Sequence, residues 1–217
     1  MYNNKNTIFF KLKSKSIKEW NSYINHNFVK KLSDGSLSDK SFKDYLLQDY
    51  IFLQRFMKIL SVAAFRSKTI DDMHRSIDFI IGIKHEIKLH INYCKRFNLS
   101  RNKVLRTKEK KANQNYTNYV MTIGLNKSLL ELFIALSPCI IGYGEIGYNL
   151  SRKKNWKKSK YSSWIKMYAS KEYQSLAKSN IRYLDQLNKR EKIEFNTMLK
   201  VFKKASVLES EFWQMSL

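Results

Sequence analysis

The groups best equipped for chemistry in this chain are a thiol, two carboxylates and several phenols, each set into an otherwise apolar helical stripe. Cys139 follows Pro138, the only proline of the sequence, and precedes Tyr143 by one helical turn in the run Leu136-Ser-Pro-Cys-Ile-Ile-Gly-Tyr-Gly-Glu-Ile-Gly147. Around it Leu129, Leu132, Phe133, Leu136, Ile140, Tyr143, Ile146 and Leu150 recur at helical spacing, so thiol and phenol belong on or near a buried face. Asp49 falls on the stripe of Phe42, Tyr45, Leu46, Phe52, Leu53, Phe56 and Leu60. Glu209 lies among Phe202, Ala205, Leu208, Phe212 and Trp213, and Tyr168 shares a face with Tyr161, Trp164 and Ile165. An unpaired buried carboxylate is strongly disfavoured, so Asp49 and Glu209 must find partners or line a polar cavity. Pro138 adds a reason to expect a reactive thiol: a kink that opens a helix N-terminus beside Cys139 would lower its pKa and enrich the thiolate. Taken singly, each group reads first as structural, a buried cysteine as a small hydrophobe and a buried acid or phenol as a satisfied hydrogen-bonding group. Their joint presence points to a shared pocket.

Metal chemistry is the competing use of such groups. The histidines are His26, His74, His85 and His90, and Asp71-x-x-His74 and Glu86-x-x-x-His90 are fragments of a carboxylate–histidine site. A di-iron bundle needs a Glu-x-x-His step on each of two helices and two further carboxylates. Only one acidic-x-x-His step occurs here, and Glu86 and His90, at i and i+4, can bond one another. No metal or other cofactor is therefore expected. No P-loop, Gly-x-Gly-x-x-Gly or His-Glu-x-x-His motif is read in the chain. Cys94 and Cys139 make neither a disulfide framework nor zinc-finger spacing, which suits a reducing cytoplasm.

Positioning these groups falls to helices. Six glycines and one proline in 217 residues are too few breakers for an all-β fold. The periodicity predicts helices over about 14–32, 39–67, 69–98, 113–124, 127–151, 161–187 and 189–215. Residues 1–12 read as an arm or short helix, and 98–111 and 152–160 as polar, basic loops. Pro138 should kink the fifth helix, because its ring removes a backbone donor and crowds the preceding turn. No repeat or linker divides the chain, so the expectation is one all-α domain over 1–217, a compact bundle of about seven main helices. No run approaches the roughly 20 apolar residues of a membrane span, and no membrane association is expected. The net charge of +23 raises nucleic acid as a partner. The basic runs at 11–18, 103–111, 152–160 and 200–204 sit at helix ends and loops without forming one stripe, so a solvated Lys-rich surface is the expectation instead.

Several separated segments occur in the order characteristic of one family. They are Tyr45-Leu-Leu-Gln-Asp49-Tyr, Glu86 with His90, Tyr116-Thr, the Ala135–Gly147 run containing Pro-Cys-x-x-x-Tyr-x-Glu, Tyr161-Ser-Ser-Trp164-Ile-Lys-Met-Tyr168, and Glu209-Ser-Glu-Phe212-Trp213-Gln-Met. From about residue 15 to 217 the chain resembles the TenA/thiaminase II aminopyrimidine hydrolases. The resemblance implies a haem-oxygenase-like fold without haem and a cytoplasmic homotetramer. It implies cofactor-independent hydrolysis of aminomethyl-aminopyrimidine or thiamin to hydroxymethyl-aminopyrimidine. It also implies that Cys139 adds to the pyrimidine ring, that Glu209 exchanges a proton with a ring nitrogen, and that Asp49 accepts from the ring's amino group. Tyr116, Tyr143 and Tyr168 would line the pocket and Phe212 would stack on the ring. Members often carry a tyrosine where Phe52 stands, so this chain lacks that hydroxyl. Members have also been labelled transcriptional activators, which makes a regulator on the same fold the alternative reading.

Overall fold

The structure is a computed structural model that describes residues 5–217, apart from the side chain of Leu89. Of the arm expected over 1–12, residues 1–4 lie outside the described residues. The rest of that segment enters α1 (Ile8–Lys15), whose first turn is capped by the Thr7 hydroxyl accepting from Phe10 N. The elements that follow are α2 (Ile17–Ile24), α3 (Asn27–Asp34), α4 (Asp39–Arg66), α5 (Ile70–Arg96), α6 (Arg101–Leu105) and α7 (Lys111–Asn126). Then come α8 (Leu129–Ser137), a π-turn (Pro138–Gly142), α9 (Tyr143–Ser151), a short 3-10 turn (Trp156–Lys158), α10 (Ser162–Tyr168), α11 (Lys171–Glu191) and α12 (Phe195–Gln214). There is no strand among the described residues.

Among the described residues there are twelve α-helices where about seven main ones were expected; local caps add three, the π-turn divides the helix expected over 127–151, and part of the arm forms α1. The helix expected over 14–32 is interrupted because His26 is extended and its Nδ1 accepts from Phe28 N, capping a new helix. Ser100 caps α6 inside the expected loop over 98–111. The helix expected over 161–187 splits where Ser170, extended, accepts from Tyr173 N and starts α11. Lys192 is left-handed with φ 45°, which ends α11 and delays α12 to Phe195. The long helices α4 and α5 fall where periodicity placed them, capped by Ser38 and Thr69.

The helices group into two compact units. One comprises the chain up to Leu37 with Leu130–Gln214, the other Ser38–Leu129 with Met215–Leu217. In the first, every residue from Leu130 to Gly147 is buried. This central segment is buried all round and largely apolar, and α2, α10, α11 and α12 pack against its π-turn and α9. The Leu129–Ser151 stretch contains an 18-residue window of mean hydropathy 1.6 and is long enough to span a membrane. That corrects the expectation that no run is sufficiently apolar; the window is wholly buried within the protein, the setting of a core helix. In the second unit, α4 and α5 form an antiparallel hairpin. Phe42 meets Phe97 at 4.7 Å, and α7 lies along α4 with Asn113 Nδ2 donating to Gln48 O at 2.9 Å. The Arg66 guanidinium closes the end of α7 by donating to the carbonyls of Gly124 and Lys127.

Two glycines test how close this packing is. A Cβ on Gly147 would lie 2.5 Å from the backbone carbon of Tyr168, whereas one on Gly82 would meet nothing within 4 Å. Gly147→Ala should therefore destabilise the protein by about 1–3 kcal/mol. Gly82→Ala, on the exposed side of α5, should stabilise it by about 0.5–1 kcal/mol. Denaturant unfolding of the two variants checks both signs.

Candidate active site

The central helix of the first unit is built around a missing donor. Pro138 has no N–H for the carbonyl of Ile134, four residues back. The Ser137 hydroxyl donates to that oxygen instead, at 2.7 Å, and the Cys139 thiol donates to Leu136 O at 3.3 Å. The chain does not break. Ser137 and Gly142 keep right-handed helical dihedrals, and the lesion is absorbed as the π-turn Pro138–Gly142. The expected kink thus takes the form of a locally widened helix. It also corrects the idea of an opened helix N-terminus beside the thiol: the helix is continuous, and the sulfur is buried (7 % exposed) and acts as a donor.

Aromatic groups and an acid surround this turn. The Tyr143 ring lies 4.9 Å from Tyr168, 5.9 Å from Trp164 and 5.2 Å from Trp213, and Trp164 and Tyr168 are 4.5 Å apart. The helix α12 packs against the π-turn and carries Glu209, 1 % exposed, one turn before Trp213 and beside Phe212. Cys139, Tyr143, Tyr168, Glu209 and Phe212 are accordingly all core residues of one unit. The other acid of the motif, Glu145, has a different place. Lys13 Nζ bonds both its oxygens at 2.7 and 2.6 Å, and Trp20 Nε1 donates at 3.2 Å, which ties α1 and α2 to α9.

Gly142, Gly144 and Gly147 spell a Gly-x-Gly-x-x-Gly pattern, which corrects the reading that the chain has none. Such a pattern cradles a pyrophosphate only between a strand and a helix. Here it lies within a continuous helix, and its glycines admit neighbours. A Cβ would come within 2.4 Å of the Tyr23 ring at Gly142 and 2.5 Å of Tyr168 at Gly147.

In the second unit the stripe of α4 is buried as expected, Tyr45, Asp49 and Leu53 included. Asp49 Oδ2 lies 3.2 Å from Nδ1 of His90, whose Nε2 is 2.7 Å from Leu46 O. With both nitrogens facing oxygens, the ring is placed to donate twice as imidazolium. Burial alone pushes the His90 pKa down, but the bonds to Asp49 and to Cys94, one turn along α5, outweigh it and hold the ring up at about 10. The sequence offered Glu86 as a local partner for His90; the structure shows a long-range pair with Asp49. His90 was missed as the partner of Asp49. The signal for it was the i, i+4 placement of His90 and Cys94 on the inner face of α5. Phe52, half-buried, lies 5.4 Å from Tyr116 and 5.7 Å from Phe56, so its position adds an apolar wall beside the Tyr116 phenol. Gln48, also unforeseen, accepts from Lys110 N at 2.9 Å and donates to Lys108 O at 3.0 Å, anchoring the segment before α7. Among the described residues no three His, Cys, Asp or Glu side chains are grouped to hold a metal ion.

Comparison with known proteins places this architecture. The model of the TENA/THI-4/PQQC family matches residues 14–217. An aminopyrimidine aminohydrolase of Halalkalibacterium halodurans is 30 % identical over 203 residues, 91 % of this chain and 89 % of that protein. Among solved structures, a TenA family transcription regulator from Silicibacter sp. superposes with a TM-score of 0.89 at 32 % identity, covering 96 % of both chains. A Shewanella denitrificans domain described as having a heme oxygenase-like fold superposes with a TM-score of 0.74 over 96 % of this chain and 91 % of that one; at 14 % identity this is a likeness of fold alone. The expected all-α, haem-oxygenase-like class is borne out.

The Asp49–His90 pair has a pH signature. A histidine whose folded pKa is raised from 6.5 to about 10 contributes stability that is complete below pH 6.5 and is lost as pH rises through about 10. Melting temperature should fall over that window, and His90→Gln should lower it at neutral pH and flatten the slope. Thermal melts by circular dichroism across the range check this; parallel slopes in both proteins would contradict it.

Proposed function

The chain belongs to the TENA/THI-4/PQQC family, and on that footing we propose that it is a cofactor-independent hydrolase of aminopyrimidines that works through Cys139. The observation that carries the reading is the setting of the sulfur. It lies in a π-turn of a buried helix, with Tyr143 one turn away and with the helix bearing buried Glu209 packed against that turn. The name of the Halalkalibacterium halodurans relative, aminopyrimidine aminohydrolase, supports the substrate class.

In this mechanism the sulfur of Cys139 adds to a carbon of the pyrimidine ring while Glu209 gives a proton to a ring nitrogen. The thiol gives up its proton to solvent on adding, and the ring's electron pair then expels the exocyclic leaving group: ammonia from the protonated aminomethyl group, or neutral thiazole from the thiazolium of thiamin. Water adds to the exocyclic carbon and releases a proton, Glu209 recovers its proton from the ring nitrogen, and the sulfur departs and is reprotonated, leaving hydroxymethyl-aminopyrimidine. Asp49 accepts from the ring's amino group. His90 bonds its Oδ2, and a carboxylate has acceptor sites beyond that one contact. Tyr116, Tyr143 and Tyr168 line the pocket, Phe212 stacks on the ring, and Phe52 supplies an apolar surface where a hydroxyl would otherwise bond. The enzyme serves thiamin salvage or degradation in the cytoplasm as a homotetramer, without a nucleic-acid or membrane partner. The second reading, a regulator on the same fold, has behind it the name of the Silicibacter relative and the net charge of +23. A site-specific footprint surviving physiological salt would favour it, because non-specific binding fades steeply with salt.

Cys139→Ala should abolish hydrolysis of both substrates with the fold intact. Glu209→Gln should slow it by about a hundredfold to ten-thousandfold. A substrate panel with products identified by mass spectrometry reads both, and undiminished turnover by Cys139→Ala would overturn the nucleophile assignment.

A further inference from the structure

Two backbone carbonyls of the π-turn beside the thiol accept hydrogen bonds from tyrosines on two different helices. Tyr23 of α2 donates its hydroxyl to Pro138 O at 3.2 Å, and Tyr173 of α11 donates to Cys139 O at 3.4 Å. Glycines admit both. Gly142 leaves room for the Tyr23 ring, and a Cβ on Gly144 would already press on Ala177 at 3.3 Å and approach Tyr173 Cδ1 at 3.6 Å. Tyr173 has a second contact: its ring stands perpendicular to that of Tyr168, with centroids 4.8 Å apart. The next residue, Gln174, donates through Nε2 to Gly144 O at 2.8 Å and to Tyr168 O at 2.9 Å. One turn of helix, started by the Ser170 cap, thus holds the backbone that carries Cys139 and the backbone and ring of Tyr168.

We propose that this first turn of α11 sets the register between the nucleophile and the pocket wall, with Tyr173 as a positioning residue for Cys139. The proposal rests on the nucleophile role given to Cys139 above. Tyr173 acts through the peptide group that follows the Cys139 Cα, whose plane fixes the direction of the Cα–Cβ bond and hence of the sulfur. At 3.4 Å the contact is the longer of the two carbonyl bonds, so its loss should weaken the fold little. An error of register in a reacting group costs rate while leaving binding largely intact.

Tyr173→Phe keeps the ring on Tyr168 and removes only the hydroxyl. Steady-state hydrolysis of aminomethyl-aminopyrimidine should show kcat reduced by about tenfold to a hundredfold with KM within about twofold of wild type. Iodoacetamide labelling, followed peptide by peptide with mass spectrometry, should show Cys139 alkylated several times faster once its turn is released. Cys94, in the other compact unit, should keep its wild-type rate. Wild-type kcat together with wild-type Cys139 labelling would overturn the proposal. So would equal acceleration at both cysteines with a raised KM, which is the pattern of general loosening. Gln174→Met, which removes the companion bonds, should reproduce the kcat loss. Failure of the nucleophile assignment reads out separately, as retained activity of Cys139→Ala, since the labelling requires no turnover.

Discussion

A buried backbone carbonyl cannot do without a donor, and Pro138 takes one away in the middle of the most deeply buried helix of the protein. Between Leu130 and Gly147 every residue is buried, so side chains must make good the loss. An unsatisfied buried polar group costs about 1–3 kcal/mol. Ser137 restores a donor to Ile134, the π-turn takes up the change of register, and Tyr23 and Tyr173 reach Pro138 O and Cys139 O from α2 and α11. The arrangement of the first unit follows from this repair. The glycines on the far side of the turn exist where neighbouring helices must come close enough to deliver those donors. A π-turn of this kind is costly for stability and recurs at functional sites, and here the residue at its second position is the thiol.

Two buried carboxylates show how the same physics yields different roles. Glu145 receives a lysine on both oxygens and an indole N–H besides, so its charge is matched on the spot and its effect is to join helices. Asp49 is matched by His90, itself held by Leu46 O and Cys94. That chain of contacts fixes the orientation of the Asp49 carboxylate and keeps its partner protonated through neutral pH, which suits an acceptor for an amino group. Breaking a buried pair of this kind by removing one member costs about 3–5 kcal/mol, so the geometry of the acid and the stability of the α4–α5 hairpin are set by one interaction.

The apolar periodicity made the long helices legible, because a 28-residue stripe such as that of α4 admits one burial solution. The short ones were not legible. His26, Ser100 and Ser170 each cap a helix by one side-chain bond, and nothing in the stripes distinguishes a cap from a helix-interior polar residue. Of the groups singled out for chemistry, Cys139, Tyr143, Tyr168, Asp49 and Glu209 all proved to be buried, as their place on the stripes required. What the stripes concealed were contacts across the chain. His90 was paired in sequence only with Glu86 four residues away, and its bond to Asp49 on another helix went unseen. Tyr173 lies outside every quoted motif, and its bond to Cys139 O depends on a π-turn that no residue pattern announces.

The central claim is that the Cys139 sulfur is held, with Glu209, where it attacks a pyrimidine ring. The most direct test is a crystal structure of the protein with hydroxymethyl-aminopyrimidine bound. The account predicts the sulfur of Cys139 about 3–3.5 Å from a ring carbon, in line for addition, with the Glu209 carboxyl in hydrogen-bonding contact with a ring nitrogen. A pyrimidine seated away from the sulfur, or with Glu209 turned from the ring, would contradict it.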